Sequence, residues 1–176
     1  DAQDVIVPPY LPDIPETRAA LAQYYQAVSR ADQGVGRLVQ ILKETGQYDR
    51  TVILFVSDNG HSMPMAKATL YDAGIRLPFI VRAPWQKKRG LVNHAMIGFA
   101  DLTPTILDWA GALPPARKFH GRSFKPILEE ENPAGWDEVY AAHTFHEITW
   151  YYPMRAVRER RYKLIRNLAH ELEDPA

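Results

Sequence analysis

The feature that most restricts this chain is Thr51-Val-Ile-Leu-Phe-Val56, an uninterrupted apolar run rich in β-branched residues and closed at once by Ser57-Asp58-Asn59-Gly60. A run without alternation has no polar face to turn toward water, so it reads as a strand covered on both faces, as in sheets flanked by helices. Before it, residues Glu16 to Thr45 space their apolar side chains helically, through Leu21, Tyr24, Tyr25, Val28, Val35, Leu38, Val39, Ile41 and Leu42. Gly34 and Gly36 are candidate kinks in that helix, and Gly46 is its stop signal. Helix, short loop and buried strand together indicate an α/β fold.

The segment Val7 to Pro15 holds four prolines in nine residues and must be extended, as a connector. Leu77 to Arg82 is a second strand, with Pro78 near its start where a missing donor is tolerated. Asp101 to Ala110 is a short helix with Pro104 in its first turn and Leu102 or Thr103 near the cap. After a loop-rich stretch from Pro114 to Pro133, three short runs follow: Glu138 to His143, Met154 to Arg158, and Arg161 to Asn167. The last two, separated by a tight polar turn, read as an antiparallel hairpin. The expected division is an α/β region over residues 1–134 and an antiparallel subdomain beginning at 135–176. No internal repeat is visible.

Composition narrows the function. The 176 residues, 46% hydrophobic, suffice for a packed core, and Lys plus Arg balance Asp plus Glu at 21 each. No bulk field is available to hold nucleic acid, so any bound anion needs a local site. The chain has no cysteine, which removes disulfides, thiolate metal sites and a cysteine nucleophile from it. No apolar run reaches the roughly 18 residues of a membrane span, and Asp1 to Tyr10 lacks signal-peptide character. No Asn-x-Ser/Thr sequon occurs, which leans away from a heavily glycosylated product.

Chemistry concentrates after the first strand, because ligands of open α/β sheets bind beyond the carboxyl ends of strands. Asp58 offers a carboxylate and Asn59 an amide oxygen, both hard donors suited to calcium, and Gly60 permits the sharp turn that aims them. The same tetrapeptide is also ordinary turn chemistry. Eight residues beyond Asn59 stands Lys67, a compact charge able to hold an anionic oxygen or charge developing on a leaving group. By itself it reads equally as a solvated loop lysine, and Arg76 as a structural ion pair or strand cap.

Taken together, Val52-Ile-Leu-Phe-Val-Ser-Asp-Asn-Gly60 and Lys67-Ala-Thr-Leu-Tyr-Asp-Ala-Gly-Ile-Arg-Leu-Pro-Phe-Ile-Val-Arg82 resemble the second half of the formylglycine-dependent sulfatases. Pro8-Pro9-Tyr-Leu-Pro-Asp13, Asp32-Gln-Gly-Val-Gly36, Asp101-Leu-Thr-Pro-Thr-Ile-Leu-Asp-Trp109 and Gly121-Arg-Ser123 follow in family order. His146-Glu147-Ile-Thr-Trp-Tyr-Tyr-Pro-Met-Arg155 resembles the heparan N-sulfatase branch. The resemblance implies the carboxyl-terminal portion of an alkaline-phosphatase-like α/β/α sandwich followed by a small antiparallel sheet. It implies that Asp58 and Asn59 ligate calcium, and that Lys67 contacts the sulfate as a catalytic and substrate-binding residue. His146 and Glu147 become candidates for sugar recognition, although both could instead order a loop against Arg155 or Arg158. Trp150, Tyr151 and Tyr152 read as sheet packing rather than sugar stacking, and the basic run from Arg155 to Arg166 as a solvated surface.

The implied substrate is a sulfated saccharide, in particular the N-sulfate of glucosamine in heparan-type glycans, and the implied compartment is exported, periplasmic or lysosomal. A homodimer is compatible with the resemblance; nucleic acid and a membrane span are not expected. The family's Cys/Ser-x-Pro-x-Arg element, whose first residue becomes formylglycine, does not occur, so formylglycine is not present in this chain. Pro115-Ala116-Arg117 is preceded two positions earlier by Leu113, which cannot be converted. The nucleophile and the remaining calcium ligands are therefore expected from a missing amino-terminal half of the same protein, and the isolated chain is expected to be inactive. Two other readings remain. One is a phosphoryl or phosphonate ester hydrolase of the same superfamily, which would usually carry an Asp-His pair where this chain has Asp58-Asn59. The other is a non-catalytic glycan-binding fragment.

Overall fold

The computed structural model describes residues 1–146 and 150–171. They form two compact units, one comprising residues 1–56, 63–65 and 78–84, the other residues 57–62, 66–77 and the chain from Trp85 onward.

The first unit is built on α1 (Pro15–Glu44), which starts with Pro at its first helical position, where the absent N–H has no intrahelical partner to lose. Gly34 and Gly36 leave it unbroken. Its end is a Schellman closure: the Gly46 N–H donates to the Lys43 carbonyl (3.1 Å) and the Gln47 N–H to the Leu42 carbonyl (2.8 Å). Gly46 takes the left-handed conformation this needs, at φ 67°. Val5, Leu11, Leu21 and Ala83 are buried in this unit.

Two strands complete it, β1 (Ile53–Val56) and β2 (Phe79–Arg82), antiparallel with Ile53 opposite Arg82 and Val56 opposite Phe79. The expected strand is therefore present, but Phe55 is 38% and Val56 37% exposed instead of covered on both faces. The reason is local: among the described residues its ladder has β2 as its one neighbour. Arg82 fixes the entry to β1, stacking 3.8 Å above the Tyr48 ring and donating to the carbonyls of Tyr48 and Thr51.

In the second unit, α2 (Asp72–Ile75) is a single helical turn and α3 (Leu102–Trp109) is the expected short helix. The N-cap of α3 is Asp101, one residue before the expected cap, and Pro104 lies in the first turn as anticipated. The Asp101 carboxylate accepts the backbone N–H groups of Gly98 and Arg122, both at 2.8 Å. Phe124 packs edge-on against Trp109, and the Arg122 guanidinium lies 3.7 Å from the Trp136 ring centroid.

The unit's sheet is antiparallel, in the order β3-β4-β5, from β3 (Glu138–His146), β4 (Trp150–Glu159) and β5 (Lys163–Asn167). The hairpin joining β4 to β5 matches the sequence expectation. The register slips between His143 and Phe145, where Tyr152 and Pro153 of β4 together face Thr144. A bulge suits Pro153, which has no N–H for a regular ladder.

Candidate functional site

Beyond the carboxyl end of β1 the backbone bends through Ser57 to Gly60, with the Ser57 hydroxyl donating to the Asn59 carbonyl at 2.8 Å. Asp58 is exposed, Asn59 half-buried and Gly60 buried. Gly60 is required by a close approach: a Cβ there would lie 2.3 Å from the Ala73 carbonyl oxygen, 2.9 Å from the Gly74 Cα and 3.1 Å from the Ala66 carbonyl carbon. The Asp58-Asn59 bend thus runs into direct contact with the residue preceding Lys67. The Lys67 N–H donates to the His61 carbonyl at 3.1 Å and closes the intervening loop. Asp58, Asn59 and Lys67, separated in sequence, share one tightly packed loop cluster, with Lys67 exposed on it.

Lys67 sits in unusual backbone. Met65 and Ala68, neither a glycine, have φ of 63° and 62°. Side chains in this region cost of order 1–3 kcal/mol and persist where surroundings over-determine them, most often at functional sites. Here the surroundings are Ala66, fully buried, and Leu70, 4% exposed. The Thr69 hydroxyl adds a hydrogen bond to the Ala66 carbonyl at 2.8 Å.

Sequence reasoning missed the anchor of this loop. Lys163 on β5 donates to the Asp72 carboxylate and, at 3.1 Å, to the Leu70 carbonyl. Arg158 on β4 lies 3.6 Å from the same carboxylate. The Lys163 hydrogen bond, with the charges of Lys163, Arg158 and Arg76, holds the Asp72 carboxyl below its ordinary range. Both cations were expected on a solvated surface, yet Lys163 is 16% and Arg158 24% exposed. The signal lay in the hairpin register: Arg158 and Lys163 are directly opposite each other, and two like charges so placed call for an anion.

His146 ends β3, half-buried and opposite Trp150 in the ladder, on the sheet rather than in the Lys67 loop. Glu147 lies outside the described residues. His143 is structural, with its Nδ1 3.1 Å from the Tyr152 carbonyl. Tyr151 is 52% exposed, so the aromatic run does not simply pack the sheet.

As calcium ligands, Asp58 and Asn59 have the right donor chemistry, hard oxygens on consecutive residues, the first exposed and the second half-buried. They fit as part of a shell, since calcium takes about six to eight oxygens. Among the described residues no group of three or more His, Cys, Asp or Glu is arranged to hold a metal.

Comparison with known proteins gives a consistent picture. A family profile described as Sulfatase matches residues 7–112, and one described as N-sulphoglucosamine sulphohydrolase, C-terminal, matches residues 61–173. Human N-sulphoglucosamine sulphohydrolase is 40% identical over 184 residues, covering 99% of this chain and 36% of the human protein. A protein solved in complex with its substrate D-glucosamine-2-N,6-O-disulfate superposes with a TM-score of 0.72 at 29% identity, covering 89% of this chain and 34% of that one. A 2-O GAG sulfatase superposes with a TM-score of 0.74 at 27% identity, over 90% of this chain and 36% of its own. The chain thus spans about a third of the length of these relatives. Its α/β, alkaline-phosphatase-like fold is the one expected. Two overlapping profiles leave little of the sequence unmatched, and the chain belongs to the sulfatase family, with a match to the carboxyl-terminal region of the N-sulphoglucosamine sulphohydrolases over residues 61–173.

Proposed function

We propose that this chain forms one side of the active site of a longer sulfatase that removes sulfate from a sulfated sugar, with the N-sulfate of glucosamine in heparan-type glycans as the favoured substrate. The observation that carries the reading is the contact of Gly60 with Ala66, which draws the Asp58-Asn59 bend and Lys67 into one cluster. The 40% identity to human N-sulphoglucosamine sulphohydrolase supports the choice of an N-sulfate.

In this reading the Asp58 carboxylate and the Asn59 amide oxygen hold calcium, together with ligands from the rest of the protein. Calcium supplies charge stabilisation on sulfuryl oxygens, and formylglycine, from outside this chain, supplies the nucleophile. Lys67 donates to a sulfate oxygen and offsets negative charge as it develops. Held in a fixed loop, it needs little reorganisation during reaction. His146 and Glu147 orient the sugar, His146 by donating to an anionic oxygen and Glu147 by accepting from a polar or cationic group. In this reading the whole protein works outside the cytosol, in an exported, periplasmic or lysosomal setting. No helix among the described residues is long and apolar enough to cross a membrane.

The test uses the full-length protein. Asp58→Ala and Asn59→Ala are expected to weaken calcium binding, read by calorimetry, and to abolish sulfate release from N-sulfoglucosamine. Lys67→Ala is expected to lower kcat by about a hundredfold, the scale of losing one transition-state donor. Undiminished calcium affinity in both metal-site variants, or full turnover in Lys67→Ala, would overturn the assignment.

A further inference from the structure

The loop carrying Lys67 is strained at Ala68, so something must hold it. Its own residues supply part of the hold, through buried Ala66 and Leu70. The rest comes from the sheet, where Lys163 and Arg158 face each other across β4 and β5. Two cations directly opposite in a ladder repel. Both are mostly withdrawn from water, at 16% and 24% exposure, so solvent screens that repulsion poorly. The Asp72 carboxylate lies against both, and the Leu70 carbonyl takes a further hydrogen bond from Lys163. The dependence is mutual: the hairpin's cation pair is stable with the loop docked on it, and the strained loop is stable with the cation pair beneath it.

We infer that Asp72, Lys163 and Arg158 form a clamp that positions Lys67 for sulfate transfer, making Lys163 a positioning residue of the reaction although it lies on the antiparallel sheet. This rests on the reading of Lys67 given above. Lys163 touches Leu70 and Asp72 in the loop, so it acts on the sulfate through Lys67. Removing it frees the loop while leaving the Lys67 side chain intact.

The experiment is a double-mutant cycle in the full-length protein with N-sulfoglucosamine as substrate. Lys163→Met, of similar size and uncharged, is expected to lower kcat roughly tenfold to a hundredfold, the scale of a small misplacement of a reacting group, with KM changed much less. Lys163→Arg, which keeps charge and donors, is expected to recover most of the loss. In a Lys67→Ala background, Lys163→Met is expected to cost less than about twofold further, because the group it positions is gone. An equal loss in both backgrounds, or no loss in the parent, overturns the positioning role.

A readout independent of turnover is hydrogen exchange of the amides from Lys67 to Ile75. It is expected to quicken by about tenfold or more in Lys163→Met while the α1 amides stay unchanged. Unaltered exchange there overturns the clamp. If Lys67→Ala alone leaves kcat intact, the reading of Lys67 fails, whereas the exchange measurement still decides whether the clamp exists.

Discussion

The hydroxyl of Thr105 accepts the backbone N–H of Phe124 at 3.0 Å while donating to the Asp101 carbonyl at 2.6 Å, and Thr105 is completely buried. One oxygen thereby ties α3 to the segment that returns beneath it. Thr105→Val keeps the shape but strands the Phe124 N–H without acceptor or water. The expected cost is about 1–3 kcal/mol, measurable by urea denaturation, and Thr105→Ser is expected to recover most of it.

Two glycines should respond in opposite ways to the same substitution. Gly60→Ala drives a methyl group into the Ala73 carbonyl, 2.3 Å away, so the site loop must open. In the full-length protein, loss of the proposed sulfate-releasing activity and a clear fall in Tm are expected. Gly34→Ala, inside α1 with nothing within 4 Å of the added carbon, is expected to stabilise by about 0.5–1 kcal/mol and to leave activity unchanged.

Ala68→Gly relieves a left-handed alanine, φ 62°. The strain removed, of order 1–3 kcal/mol, exceeds the roughly 0.5–1 kcal/mol lost through greater freedom of the unfolded chain. A higher Tm is expected. If instead Tm falls by several degrees, Ala68 is not strained.

Stability should depend on acid through paired carboxylates, Asp72 and Asp108 among them. Asp72 is held below its ordinary range by the Lys163 hydrogen bond, and Asp108 by hydrogen bonds from Lys125 and then Ser123. A depressed folded pKa means the stabilisation is fully present above the unfolded value, about 3.9, and is lost as pH falls through the folded value. The urea midpoint is expected to be level from about pH 6 to 5 and to decline below about pH 4. Asp72→Asn should flatten part of that decline; an unchanged profile in this variant would count against the Asp72 pair.

Much of the fold was legible because it is written in local periodicity. The apolar stripe and Gly46 gave α1, the unbroken run gave β1, alternation gave β5 and the second half of β4 from Met154, and the run from Glu138 to His143 gave most of β3. The loop cluster was legible in part, since Asp58-Asn59-Gly60 is a recognisable turn after a strand. The antiparallel pairing of β1 with β2 was not, because neither strand encodes the direction of its neighbour. The burial of Lys163 and Arg158 escaped for a related reason: their partner Asp72 lies far away in sequence, so the run looked like surface charge.

The bulge at Pro153 has a consequence for how this region tolerates change. A regular β ladder is a two-beat alternation, and the extra residue resets the beat for everything in β4 before it. Removing Pro153 would close the bulge into a regular ladder, with Tyr152 opposite Thr144 and Tyr151 still paired with Phe145, whereas an added neighbour would set three residues of β4 against Thr144. Substitutions between Trp150 and Pro153 alter one side chain at a time. A one-residue deletion is absorbed by the bulge while an insertion is not, so lengthening rather than composition is the constrained property of this stretch.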